Sequence, residues 1–155
     1  VKTGSRYVLD SFALLAYLED EAGAATVEEI LEVCREGEAE SWLSIVNLGE
    51  VLYVTEREQG LQAAQKAVAT VDQLPVHVME ADRSRTFAAA HVKAHHAVPY
   101  ADAFAVALAQ EVGAGVVTGD PEFETVEALV PVLWIGASKP DSDEKRRRGD
   151  PSCPH

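Results

Sequence analysis

One helix-opening stretch, Pro99-Tyr100-Ala101-Asp102-Ala103-Phe104-Ala105-Val106-Ala107-Leu108-Ala109, constrains the chain more than any other part of it. Proline suits the first position of a helix, where its missing N–H would have no partner anyway. Ala101, Phe104, Ala105 and Leu108 then fall on one face, at the spacing of a buried helix. Asp102 sits in the first turn, where the positive helix end tolerates a carboxylate. Among small apolar neighbours it is still an odd choice. A lone buried carboxylate is costly unless a cation or a strong donor meets it. The rest of the sequence has to supply the groups that meet Asp102.

A chain of 155 residues fits one domain with a real core. The folded part is expected to span residues 1–137. From Ala137 onward apolar residues almost vanish, and residues 138–155 read as a flexible, solvated tail. No apolar run is long enough to span a bilayer and the first residues form no secretory segment, so a cytoplasmic protein is expected. Cys34 and Cys153 lie far apart in unlike contexts and read as free thiols of a reducing compartment. No Cys/His cluster has zinc spacing. The formal net charge of −13 argues against non-specific nucleic-acid binding, which runs on Lys and Arg, and favours a basic partner or bound cations.

Tyr7-Val8-Leu9 reads as a short buried strand ending at Asp10, and Ser11 to Leu18 follows with helical character. An acid at such a junction either caps the helix or belongs to a site at the carboxyl edge of a parallel sheet. A second amphipathic helix carries Ala25, Val27, Ile30, Leu31 and Cys34, and Ala39 to Leu43 has strand character. Ser44 is a natural N-cap for the next helix, whose inward stripe is Ile45, Leu48, Val51, Leu52 and Thr55. Glu50 lies at the edge of that stripe. Leu61 to Leu74 reads as a helix, Val76 to Val78 as a strand and Glu80 to His95 as a helix. After the Asp102 helix, Val116-Val117-Thr118 is a strand followed at once by Gly119-Asp120-Pro121, and Val130 to Ile135 is a last strand.

The pattern is that of an α/β three-layer sandwich, with four strands, three or four of them parallel, alternating with helices. Asp10 and Asp120 fall where strands end; Glu50 and Asp102 lie on helices able to pack over the same edge. Four convergent carboxylates repel and raise one another's pKa, a conflict that a divalent cation removes. Hard oxygen ligands select Mg²⁺ or Mn²⁺ over zinc. Such a site suits phosphodiester hydrolysis.

At this point the chain resembles the PIN-domain family, and in particular its VapC-type toxins. Tyr7-Val8-Leu9-Asp10-Ser11 is similar to the family's opening strand and first acid. Asn47-Leu48-Gly49-Glu50-Val51 is similar to its helical glutamate motif, Tyr100-Ala101-Asp102-Ala103 to its third motif, and Thr118-Gly119-Asp120-Pro121-Glu122-Phe123 to its fourth. The resemblance covers about residues 6–136. It implies an endoribonuclease dependent on Mg²⁺ or Mn²⁺, with Asp10, Glu50, Asp102 and Asp120 as catalytic and metal-binding acids and Ser11 and Thr118 as supporting hydroxyls. It also implies a homodimer and a cognate VapB-type antitoxin as partner. Phe12 departs from the family, which often has a small polar residue there. RNA phosphates then need local cations; Arg6, Arg83, Arg85 and Lys93 are the candidates.

Two other classes compete. A non-catalytic PIN-like binding module would have no reason to gather four repelling acids. A receiver or aspartyl-phosphatase domain also places acids at strand ends, but a phosphatase of that type has a second Asp two residues after the first, where this chain has Phe12.

Overall fold

The computed structural model of the chain describes residues 4–136. The expected tail, residues 138–155, and Cys153 lie outside them. Five short strands form the centre: β1 (Arg6–Leu9), β2 (Glu40–Ser44), β3 (His77–Met79), β4 (Gly115–Thr118) and β5 (Val132–Trp134). They join in one sheet of order β3-β2-β1-β4-β5 with every pairing parallel. The expected four strands are therefore five. The segment with strand character at Ala39 to Leu43 is β2, which pairs with both β1 and β3, and the last strand is shorter than expected, Val132–Trp134.

The connections are helical. α1 (Ser11–Leu18) and α2 (Ala24–Arg35) lead from β1 to β2; α3 (Ile45–Gln59) and α4 (Leu61–Asp72) lead from β2 to β3. α5 (Arg83–His95) and α6 (Tyr100–Val112) lead from β3 to β4, and a 3-10 helix (Pro121–Val126) leads from β4 to β5. Successive strand residues point to opposite faces, so each strand feeds two cores. Val8, Trp42 and Val116 pack with Ala89 and Val92 of α5 and with α6 on one face. Leu9, Leu43 and Val117 pack with residues of α1, α2, α3 and α4 on the other. This is the expected three-layer sandwich.

α6 departs from its expected form in two ways. Pro99 is the N-cap rather than the first helical residue: proline fixes φ, but its ψ of 150° is extended, and the helix starts at Tyr100. The helix is also buried on every side from Asp102 to Ala109, not on one face, because it lies between the sheet and α5. α5 in turn begins at Arg83, three residues later than expected, where the Asp82 side chain accepts from the Arg85 N–H and caps it. No helix among the described residues is long and apolar enough to cross a membrane.

Candidate active site

From β1 the chain builds outward to β2 and β3, then returns to add β4 and β5 on the other side of β1. In an open parallel sheet such a reversal leaves a crevice at the carboxyl ends of the two central strands, where ligands bind. Here those strands are β1 and β4. Asp10 follows β1 directly, and Asp120 follows β4 after one glycine.

Asp10 is 2 % exposed and fully engaged. One oxygen, Oδ1, accepts from the Ala13 N–H at 2.8 Å and caps α1. The other accepts the Thr118 hydroxyl across the crevice. The two sequence readings of Asp10, cap and site acid, are thus compatible. Thr118 Oγ1 also accepts from the Asp120 N–H at 3.0 Å, and Asp120 Oδ1 accepts from the Glu122 N–H at 2.9 Å. One threonine therefore fixes both strand-end acids. Burial pushes the Asp10 carboxyl up to about 7, against the two hydrogen bonds that lower it and with help from the charges of Asp120 and Glu50.

Asp102 contrasts with it. It lies in the first turn of α6, is 6 % exposed, and its Oδ2 is buried without a hydrogen-bond partner among the described residues. One carboxylate oxygen each from Asp102, Asp120 and Glu122 lie within 4.8 Å of one another. Burial again comes first among the causes that push Asp102 up to about 7, followed by the charges of Asp120, Asp10, Glu50 and Glu122. Glu50 is partly buried on α3, and its charge acts on both Asp10 and Asp102. The structure thus brings Asp102 and Asp120, with Glu122, within ligating distance of one another, and sets Asp10 and Glu50 near enough for their charges to act on the group.

Glu122 and Asn47 stand in the motifs read from the sequence but are given no role there. Glu122 was visible only as the second acid of the Thr118–Phe123 motif. Asn47 is fully buried one turn before Glu50, and its Nδ2 donates to Ser11 Oγ at 3.2 Å and to the Ala101 carbonyl at 3.1 Å. Ser11 Oγ in turn donates to the Asn47 carbonyl at 3.3 Å. Phe12 packs its ring against the glycine before Asp120; a Cβ at Gly119 would overlap that ring and the Ile135 carbonyl oxygen.

Two of the four candidate cations, Arg6 and Arg85, are engaged by groups other than the four acids. Arg6 begins β1, at the opposite end of the strand from Asp10, and donates to the Val112 carbonyl at 2.9 Å. Arg85 is tied to Glu111 and Asp82. Arg83 lies over the Phe87 ring, 4.8 Å from its centroid. Lys93 is exposed in the last turn of α5, the end that leads into α6.

The donor set fits a hard divalent cation. It is all carboxylate oxygen, it includes a buried oxygen that no donor among the described residues satisfies, and its members repel one another unless a positive charge joins them. A parallel sheet with acids converging at its reversal point defines an α/β domain with a candidate cation site at the sheet edge. Residues 7–129 match the PIN domain, and the chain belongs to that family, whose members are nucleases. Solved structures share the fold. VapBC2 from Rickettsia felis, bound to a DNA fragment from its promoter, is 12 % identical with a TM-score of 0.68, over 84 % of this chain and 98 % of that one. VapC20 of Mycobacterium tuberculosis, a Sarcin-Ricin loop cleaving toxin, is 19 % identical with a TM-score of 0.62, over 76 % of this chain and 92 % of that one. DNA-bound VapBC from Salmonella typhimurium is 17 % identical with a TM-score of 0.66, over 83 % and 97 %. No curated protein matches the chain in sequence.

Proposed function

We propose that this protein is an endoribonuclease dependent on Mg²⁺ or Mn²⁺ and the toxin of a VapBC-type toxin–antitoxin pair. The observation that carries the reading is the unpartnered, buried Asp102 oxygen among carboxylates that the fold holds together despite their repulsion. PIN nucleases generally use divalent metal ions. Asp10, Glu50, Asp102 and Asp120, with Glu122 beside them, would hold the cation directly or through water. When bound, the cation supplies positive charge for the substrate phosphate and lowers the pKa of water.

The chain's own residues do the rest. Thr118 holds Asp10 and Asp120 in register across the crevice. A carboxylate of the set orients the attacking water and takes its proton, so no separate general base is needed. In-line attack on phosphorus breaks the bond to the 3′ oxygen, leaving a 5′-phosphate and a 3′-hydroxyl. Ser11 supports the start of α1 through Asn47. The net charge of −13 disfavours a broad RNA-binding face and suits a basic antitoxin, which charge complementarity would steer to the acidic edge. A homodimer and a VapB-type partner complete the reading, in line with the VapBC complexes that share the fold.

The test is RNA cleavage with Mg²⁺ and with EDTA, for the wild type and for Asp102→Asn. Cleavage only by the wild type with Mg²⁺ supports the reading. Absence of cutting in every arm favours a non-catalytic PIN module.

A further inference from the structure

We propose that Asn47 is a positioning residue: its buried amide ties the first turn of α6 to α3 and α1 so that Asp102 and Glu50 are presented to one cation. The inference rests on the cation-dependent reading above. Asn47 is completely buried, and asparagine is a poor choice for a helix interior on propensity alone. A buried amide that is kept must find partners. Both Nδ2 hydrogens do, and each bond ends beside an acid. Ser11 adjoins Asp10, and Ala101 adjoins Asp102. Asn47 itself sits one helical turn before Glu50.

The placement explains why such a tie is needed. α1 and α3 pack on one face of the sheet and α6 on the other. At the carboxyl edge no strand lies between them, and α3 meets α6 directly, with Val46 packed against the α6 core. Asp10 and Asp120 have Thr118 to hold them. Asp102 has no comparable anchor among the described residues, since its Oδ2 accepts from none of them. Its direction is therefore inherited from the first turn of α6, against the push of the neighbouring acids. The bond from Asn47 to the Ala101 carbonyl crosses from one layer to the other and holds that turn in place. The amide's own Oδ1 is buried without a donor, so the two donated bonds alone set its orientation.

The experiment measures Mg²⁺ affinity by calorimetric titration, together with the melting temperature in EDTA and in Mg²⁺. Wild type is compared with Asn47→Leu, which keeps bulk and loses both donors, with Asn47→Thr, which keeps one hydroxyl donor, and with Ser11→Ala, which releases only the α1 arm. Positioning predicts Mg²⁺ binding weaker by roughly 10–100-fold in Asn47→Leu, the usual effect of removing a group that orients ligands, with Asn47→Thr between it and wild type. The melting-temperature gain from Mg²⁺ shrinks in the same order. A residue that merely stabilises the fold would lower both melting temperatures together and leave affinity unchanged, and that result overturns the proposal. If Asn47→Leu does not fold, Asn47→Thr and Ser11→Ala decide the matter: wild-type affinity in both overturns it. A wild type that binds no Mg²⁺ removes the cation reading itself, and the positioning role with it.

Discussion

Asp10 and Asp102 have the same charge, similar burial and a carboxyl pushed up to about 7, yet the fold treats them in opposite ways. Asp10 caps α1 and takes the Thr118 hydroxyl, so both of its oxygens are used. Asp102 keeps a buried oxygen with no donor. The first acid is part of the framework as well as of the site. The second keeps an oxygen that the described residues leave unmatched, which is where the proposed cation would act. An unsatisfied buried polar group usually costs about 1–3 kcal/mol, and such costs concentrate where function requires them.

The largest effect that tests the contrast is one in which it disappears. Asp10→Asn and Asp102→Asn should both lower RNA cleavage by roughly 10²–10⁴-fold, the range lost with a positioned acid or base, measured as initial rates at saturating Mg²⁺. Near-wild-type cleavage by either variant would remove that residue from the site.

Next comes a pH dependence opposite in sign to that of paired carboxylates. Both groups hold their protons more tightly in the fold than at the ordinary value of 3.8. In EDTA the folded state therefore binds more protons than the unfolded chain between pH 4 and about 7, and stability falls as pH rises through that window. Urea melts from pH 4 to 8 check the slope, which should flatten in Asp102→Asn. Mg²⁺ should offset the loss at neutral pH by about 2.7 kcal/mol at a hundred times its dissociation constant, and a melting curve indifferent to millimolar Mg²⁺ would contradict a preformed site.

The contrast is sharpest in stability without cation. Asp10→Ala removes a helix cap, worth about 0.5–2 kcal/mol, and leaves the Thr118 hydroxyl without its acceptor. Asp102→Asn removes a repelled charge and breaks no hydrogen bond of Oδ2, so the melting temperature in EDTA should hold or rise. Equal losses in the two variants would show that Asp102 is framework too. Gly119→Ala should also lower the melting temperature, since its Cβ would overlap both the Phe12 ring and the Ile135 carbonyl oxygen; adding Phe12→Ala should recover only the part of the loss due to the ring.

Much of this arrangement was legible in the chain because a parallel strand buried on both faces leaves a plain mark. Tyr7-Val8-Leu9 and Val116-Val117-Thr118 are short apolar runs, and an acid stands just past each. The capping Ser44 was legible for a similar local reason. Contacts between layers left no such mark. Nothing in the sequence shows that α6 is enclosed on every side, or that Asn47 crosses the sheet edge to Ala101, since both depend on how the layers meet. Arg6 and Arg85 look like free cations in the sequence, but one reaches the Val112 carbonyl and the other Glu111, more than twenty residues away in each case. Pro99 shows the limit at the local scale, where its ring sets φ and the surrounding turn sets ψ.

The most direct test of the central claim is the anomalous signal of Mn²⁺ in crystals of the wild type and of Asp102→Asn. A peak among the carboxylates of Asp10, Asp102 and Asp120 in the wild type, weakened or lost in the variant, is the predicted result. No peak at that edge in the wild type, or a peak indifferent to the substitution, would contradict it.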